Sequence, residues 1–150
     1  MKRAKKRVTK KKEKPEKKAR VVVTRGKRKS SIARAYVSEG KGVIRINRIP
    51  VDAIQNRYIR NVVMEPILLA GEKAKGLNVV VNVRGGGVMG QAEAARTAIA
   101  RGIVEFTGDA ELKEKMQERD RFMLLEDVRR VEPKKYKGPK ARARFQKSYR

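Results

Sequence analysis

Residues 77–106 read LNVVVNVRGGGVMGQAEAARTAIARGIVEF, a strand, a glycine turn and a helix in that order. Leu77, Val79, Val81 and Val83 alternate with Asn78, Val80, Asn82 and Arg84, the period-two pattern of a strand with one buried face. Gly85, Gly86, Gly87 and Gly90 supply a turn that needs no Cβ and tolerates positive φ. From Gln91 onward the residues are good helix formers. Ala92, Ala95, Ile99, Ile103 and Phe106 recur at helical spacing on one side, with Glu93, Arg96 and Thr97 on the other. This helix is expected to pack on the sheet that contains residues 77–84, and the rest of the chain to build onto that pair.

Upstream, residues 21–24 are a β-branched run and predict a strand. Residues 25–31 follow as a basic loop. The strand pattern resumes over 32–38, with Arg34 and Tyr36 on one face and Ala33, Ala35 and Val37 on the other. A turn at 39–42 leads to a short strand at 43–47, so these pieces form an antiparallel meander and bring the strand total to four. Residues 48–51 break it, because Pro50 forces Ile49 towards extended geometry. Residues 52–71 are helical in two parts, with Pro66 kinking one helix or starting a second. Gly71 is the stop, and 72–76 is a polar connection. Downstream, Asp109 is the expected N-cap of a helix over 110–120. Residues 122–125 are the last apolar cluster and should close the core.

The chain has 150 residues, with 41 Lys+Arg against 16 Asp+Glu and a formal net charge of +25. So large an excess repels itself unless a polyanion neutralises it, and nucleic acid does so through phosphate contacts and counterion release. No stretch is long and apolar enough to span a bilayer, and no apolar signal sequence follows the basic start, so no membrane partner is expected. There is no Cys and no His. That removes disulfides, thiolate and imidazole metal sites, and any Ser-His-Asp or Cys-His nucleophile. No catalytic residue, cofactor, metal or small-molecule substrate is expected.

Gly85, Gly87 and Gly90 match the spacing G-x-G-x-x-G between a predicted strand and a predicted helix. A dinucleotide site also needs a parallel strand soon after the helix, then further βα units. The chain after Phe106 offers only a charged helix, one apolar cluster and a basic tail. Asp109, near the place of a ribose-binding acid, is better read as a cap. A Walker loop fails because Gln91 stands where the phosphate lysine belongs. Two readings remain. In one, the glycines let the helix pack close to the sheet. In the other, free N–H groups around Gly86 and Gly87, beside Arg84, hold an anion such as an RNA phosphate.

Three basic regions are candidate binders. Residues 1–20 are mostly Lys and Arg and predict a disordered extension. Arg25, Lys27, Arg28 and Lys29 concentrate four cations at a sheet end, which suits phosphate contact. Arg96 and Arg101 are not counted, because Glu93 and Glu105 lie at helical pairing distance. From residue 128 onward, Arg129, Arg130, Lys134, Lys135, Lys137, Lys140, Arg142, Arg144, Lys147 and Arg150 face only Glu132. Pro133, Gly138 and Pro139 oppose regular structure. About 22 such residues reach about 70 Å if fully stretched. Tyr136, Phe145 and Tyr149 are interleaved with the cations, so rings can stack on unpaired bases while cations hold phosphates. The three regions divide the chain into a Lys-rich extension (1–20), a globular RNA-binding domain (21–127) and an extended basic tail (128–150).

Several segments together carry a family likeness: Gly26-Lys27-Arg28-Lys29-Ser30-Ser31-Ile32-Ala33-Arg34, Ile46-Asn47 with Pro50, Gly85-Gly86-Gly87-Val88-Met89-Gly90-Gln91-Ala92-Glu93-Ala94-Ala95-Arg96, Ala98-Ile99-Ala100-Arg101, and the closing Lys147-Ser148-Tyr149-Arg150. The chain resembles the universal small-subunit ribosomal protein nine family from about residue 21 to its end, and its ending looks like the archaeal and eukaryotic form. The resemblance implies an α+β fold with helices on a mostly antiparallel sheet, a left-handed β-α-β crossover and a long extended basic tail. It implies a cytoplasmic, non-catalytic constituent of the small-subunit head that binds small-subunit rRNA beside neighbouring head proteins. It further implies a tail tip, here Lys147, Tyr149 and Arg150, that approaches the anticodon stem-loop of peptidyl-site tRNA. The alternative left by the residues themselves is a general nucleic-acid-binding architectural protein.

Overall fold

The computed structural model describes residues 20–146 and residue 148. The predicted Lys-rich extension, apart from Arg20, lies outside the described residues, as do Lys147, Tyr149 and Arg150. Strands β1 (Val21–Arg28) and β2 (Ser31–Glu39) form an antiparallel hairpin closed by Lys29 and Ser30. The basic segment 25–31, expected as a loop, is therefore mostly strand. Gly26 is the reason. An added Cβ there would meet Ala94 O at 2.1 Å and Ala98 N at 2.7 Å, so the strand must run bare against a helix backbone at this point. Thr24 Oγ1 donates to Ala98 O at 2.7 Å and holds the two together.

Strand β3 (Ile44–Ile46) turns through Asn47 (φ 47°) and Arg48 (φ 72°) into β4 (Ile49–Pro50). Within residues 48–51, expected to end the meander, Ile49–Pro50 thus return as an edge strand, a place where the missing N–H of Pro50 is tolerated. Strand β5 (Leu77–Arg84) pairs antiparallel with β2 and parallel with β3. The sheet is five-stranded and mixed, in the order β1-β2-β5-β3-β4, rather than the four-stranded sheet predicted. The parallel pair follows from the crossover between β3 and β5. Asn47 lengthens that pairing: its Nδ2 donates to Val83 O at 3.0 Å, and Val83 N donates to its Oδ1 at 2.8 Å.

The crossover runs through a 3-10 turn (Val51–Ala53), α1 (Arg57–Ala70) and the single turn α2 (Glu72–Lys75). Asn56 caps α1 by accepting from Tyr58 N at 3.0 Å. The helix is continuous through Pro66, not divided in two. The lost backbone bond is offset by burial of the Pro66 ring in the core. Gly71, at φ 56°, ends it.

Helix α3 (Val88–Thr107) begins at Val88 rather than Gln91. It lies between the sheet on one side and α1, α4 (Ala110–Arg119) and α5 (Arg121–Leu124) on the other. Ala92, Ala95, Ile99 and Ile103 are buried as predicted, and so are Ala94, Ala98 and Ala100. Thr97, expected on an outer face, is buried too and donates to Glu93 O and Phe122 O. Burying one large aliphatic side chain such as Ile99 or Ile103 contributes about 1.5–3 kcal/mol. Asp109 stands at the start of α4 but makes no side-chain cap; it pairs with Lys73 at 2.8 Å. Of the closing cluster, Met123 and Leu124 enter the core while Phe122 and Leu125 stay exposed.

Beyond α5 the described chain has no regular secondary structure, but it is not straight. At Gly138 an added Cβ would lie 2.3 Å from Ala143 O. Arg144 Nη1 donates back to Tyr136 O at 3.2 Å. The tail folds a loop into itself over this stretch, which shortens the reach expected of a fully stretched chain.

Candidate nucleic-acid interface

The helices cover one face of the sheet and leave the other bare. Strand register sets what the bare face presents, because directly opposed residues point the same way. One row across the sheet is Arg25, Arg34 and Asn82; the next is Lys27, Ile32 and Arg84. A third is Val23, Tyr36, Val80 and Arg45. The one acid on any strand, Glu39, lies opposite buried Leu77, on the helix-covered side. The bare face is therefore cationic without a carboxylate from its own strands.

The cations of the body fall into two groups. The first is paired within the fold. Arg96 Nη1 lies 2.8 Å from Asp120, and its Nε lies 2.9 Å from Glu65 Oε2 in an ionic contact with the N–H off the line. Arg101 donates to Leu124 O at 2.7 Å and Arg25 O at 2.9 Å and pairs with Glu126 at 3.3 Å. These partners replace the Glu93 and Glu105 pairings expected from helical spacing. Arg28 pairs with Glu93 and with Asp127, and Arg129 reaches Asp127 at 2.7 Å. The second group has no carboxylate partner among the described residues; Lys27, Lys29, Arg34, Arg45 and Arg84 hold it on the sheet and at the hairpin turn, and Lys41, Arg48, Arg57, Arg60, Lys113, Lys115 and Arg121 lie elsewhere on loops and helices.

The predicted hairpin cluster is split by this division. Lys27 lies on the bare face and Lys29 at the exposed turn. Arg25 is 63% exposed and meets Glu126 only at 3.4 Å, a surface pair that stabilises little and leaves the guanidinium able to take a phosphate. Arg28 is turned inward, into the ion pairs that join β1 to the start of the tail.

Gly85 and Gly86 have φ of 77° and 66°, so the turn into α3 needs residues without a Cβ. Ser31 Oγ and Gln91 Nε2 both donate to Gly85 O. The first bond within α3 runs from Gln91 N to Gly87 O at 2.9 Å, which leaves the N–H groups of Val88, Met89 and Gly90 free of helical partners. They open on a space shared by Lys29, Ser30, Gly86 and Gly87. Glu93 lines it as well, and its charge is countered by Arg28.

In the tail, Lys135 and Arg142 reach Glu132 at 2.8 and 2.9 Å. These two hydrogen bonds hold the Glu132 carboxyl below the usual glutamate range. On the body, the Asp109 hydrogen bond raises Lys73 above the usual lysine range. Arg130 donates to Asp127 O at 3.0 Å, close to the tail's root. Lys134, Lys137 and Lys140 have no carboxylate partner among the described residues. Tyr136 and Phe145 are 86% and 65% exposed, open for stacking.

Arg34, Tyr36, Arg45 and Asn82 carry the bare face and were not singled out as a site in the sequence. The signal was available: the outward positions of several alternating strands hold cations, an amide and a tyrosine, and no acid.

No helix among the described residues is long and apolar enough to cross a membrane. The family model described as ribosomal protein S9/S16 matches residues 26–150. The chain is 53% identical over 131 residues to a small ribosomal subunit protein uS9 of Methanothrix thermoacetophila, covering 87% of this chain and 99% of that protein. It is 51% identical over 129 residues to the protein of the same name in Thermoplasma acidophilum, covering 86% of this chain and 100% of that one. The protein of that name in Thermoplasma volcanium is 53% identical over 129 residues.

Proposed function

Because the chain belongs to the ribosomal protein S9/S16 family, we propose that it is a cytoplasmic, non-catalytic constituent of the small ribosomal subunit that binds small-subunit rRNA in the head and extends its tail towards peptidyl-site tRNA. The observation that carries this reading is the division of the cations. Those that pair internally hold the fold together, while cations without carboxylate partners fill the bare sheet face, where no strand supplies an acid, and recur at the hairpin turn and along the tail. Such a surface neutralises phosphates at the cost of little internal rearrangement.

In this reading residues 21–127 are the RNA-binding body, 128–150 the reaching tail and 1–20 a further cationic extension. Arg25, Lys27, Lys29 and Arg84 meet rRNA phosphates beside Gly86 and Gly87, and Arg28 acts by fixing the hairpin. The tail cations Arg129, Arg130, Lys134, Lys135, Lys137, Lys140, Arg142 and Arg144 track an rRNA backbone, and Lys147, Tyr149 and Arg150 meet the tRNA. Neighbouring head proteins complete the surroundings. Family membership also carries the expectation of a left-handed crossover between β3 and β5, the minority hand for parallel strands.

Competition binding at matched salt tests the proposal. A head-domain rRNA fragment should displace the labelled fragment far better than random DNA of equal length. Equal displacement by both would make the chain a general nucleic-acid binder instead.

A further inference from the structure

A groove of about 190 Å³ crosses the bare sheet face between Ile32, Arg34, Tyr36, Asn82 and Arg84. It is smaller than the roughly 300–1,000 Å³ of pockets that enclose drug-sized ligands and cofactors. It suits one planar group.

We propose that this groove seats a single unpaired RNA base, stacked on Tyr36 and hydrogen-bonded by Asn82, with the flanking phosphates on Arg34 and Arg84. The inference deepens the rRNA reading and rests on it. Three observations lead there. Arg34 stands directly across the strands from both Arg25 and Asn82. Like charges directly opposed in a sheet are destabilising, and an anion lying on the Arg25–Arg34 pair removes that repulsion. Asn82 is exposed, and its amide has no hydrogen-bond partner among the described residues. By contrast, Asn78 Oδ1 accepts from Lys41 N and Val43 N, and the Asn47 amide bonds both ways to Val83. An unengaged amide offers a donor and an acceptor together, the pair that a base edge requires. Tyr36 is half-buried on the same face, among Val23 and Val80, in a flat apolar setting suited to a ring. Bases within a duplex are already stacked, so the occupant is single-stranded.

The test uses the full chain, an oligoadenylate of about ten nucleotides and an RNA duplex of equal total charge, at one salt concentration. Tyr36→Ala should weaken the single strand about tenfold and leave the duplex unchanged, since loss of one stacking contact acts only on unpaired bases. Tyr36→Phe should retain affinity. Asn82→Ala should alter the preference between oligoadenylate and oligouridylate. The tail aromatics are common to all variants and cancel in the comparison. Should Tyr36→Ala unfold, the Tyr36 ring protons of the wild-type chain decide: an upfield shift with the single strand supports the seat, and no shift removes it. Equal loss on both probes, or no loss on either, overturns the inference and leaves a face that binds phosphate alone. Failure of the underlying reading looks different. There the wild-type chain would not prefer head rRNA over random DNA, whatever Tyr36 does.

Discussion

Asp127 sits at the point where the body ends and the tail begins, with its side chain only 4% exposed. It pairs with Arg28 from β1 and Arg129 from the tail, and its Oδ1 accepts the Arg129 backbone N–H at 2.7 Å. A buried carboxylate held this way matters most when one partner is removed, because the remaining charge is left uncompensated. Asp127→Ala should therefore lower the unfolding free energy by about 3 kcal/mol, read by urea denaturation; a change within about 0.5 kcal/mol would mean that the ion pairs are incidental. Glu132 is the opposite case, an exposed carboxylate with a local task. Its bonds to Lys135 and Arg142 hold its pKa down. The tail loop they clamp should be present above the ordinary glutamate range and fade as pH falls through the lowered value. Carboxyl-carbon NMR should show Glu132 titrating below the usual glutamate range, and Glu132→Gln should release Arg142 at every pH. A Glu132 that titrates at the usual glutamate value would show the loop to be unclamped.

At the scale of elements, the contact between β1 and α3 sets the thickness of the fold. Gly26→Ala should cost about 1–3 kcal/mol or more, because backbone rather than a flexible side chain blocks the added methyl. Thermal unfolding that is unchanged would contradict the close approach. This contact also marks where the sequence could be read and where it could not. The alternation in β2 and β5 and the stop at Gly71 were visible because one face or one residue decides each of them. The continuation of β1 through Arg25–Arg28 was not, since a basic run containing glycine looks like a loop until the helix that demands that glycine is in place. The partners of Arg96 and Arg101 come from Glu65, Asp120 and Glu126, far apart in sequence, so helical spacing pointed to nearer but wrong acids. Burial of Thr97 followed from α5 covering a second side of α3. The candidate site suffered likewise: Arg34, Tyr36 and Asn82 each looked like an ordinary outward residue, and only the register across three strands joined them.

For the whole molecule, the charge of +25 is not spread evenly in its consequences. Internal pairs absorb part of it as structure, and one sheet face and the tail hold cations outward with few or no carboxylates beside them. Two kinds of variant should therefore separate. Replacing Lys147 and Arg150 by Ala should leave the unfolding curve of the body unchanged and speed tRNA release from the peptidyl site of assembled subunits; an unchanged off-rate would deny the tip that role. Removing cations from the bare face should weaken rRNA binding without lowering stability. The most direct measurement is the salt dependence of affinity for a head-domain rRNA fragment, wild type against the combined Arg34→Ala, Arg45→Ala and Arg84→Ala variant. Three lost phosphate contacts should lower the slope of log K against log salt by about 2 for single-stranded sites and somewhat more for duplex ones, with the urea midpoint not lowered. An unchanged slope would contradict the claim that the uncovered sheet face is where this protein meets its RNA.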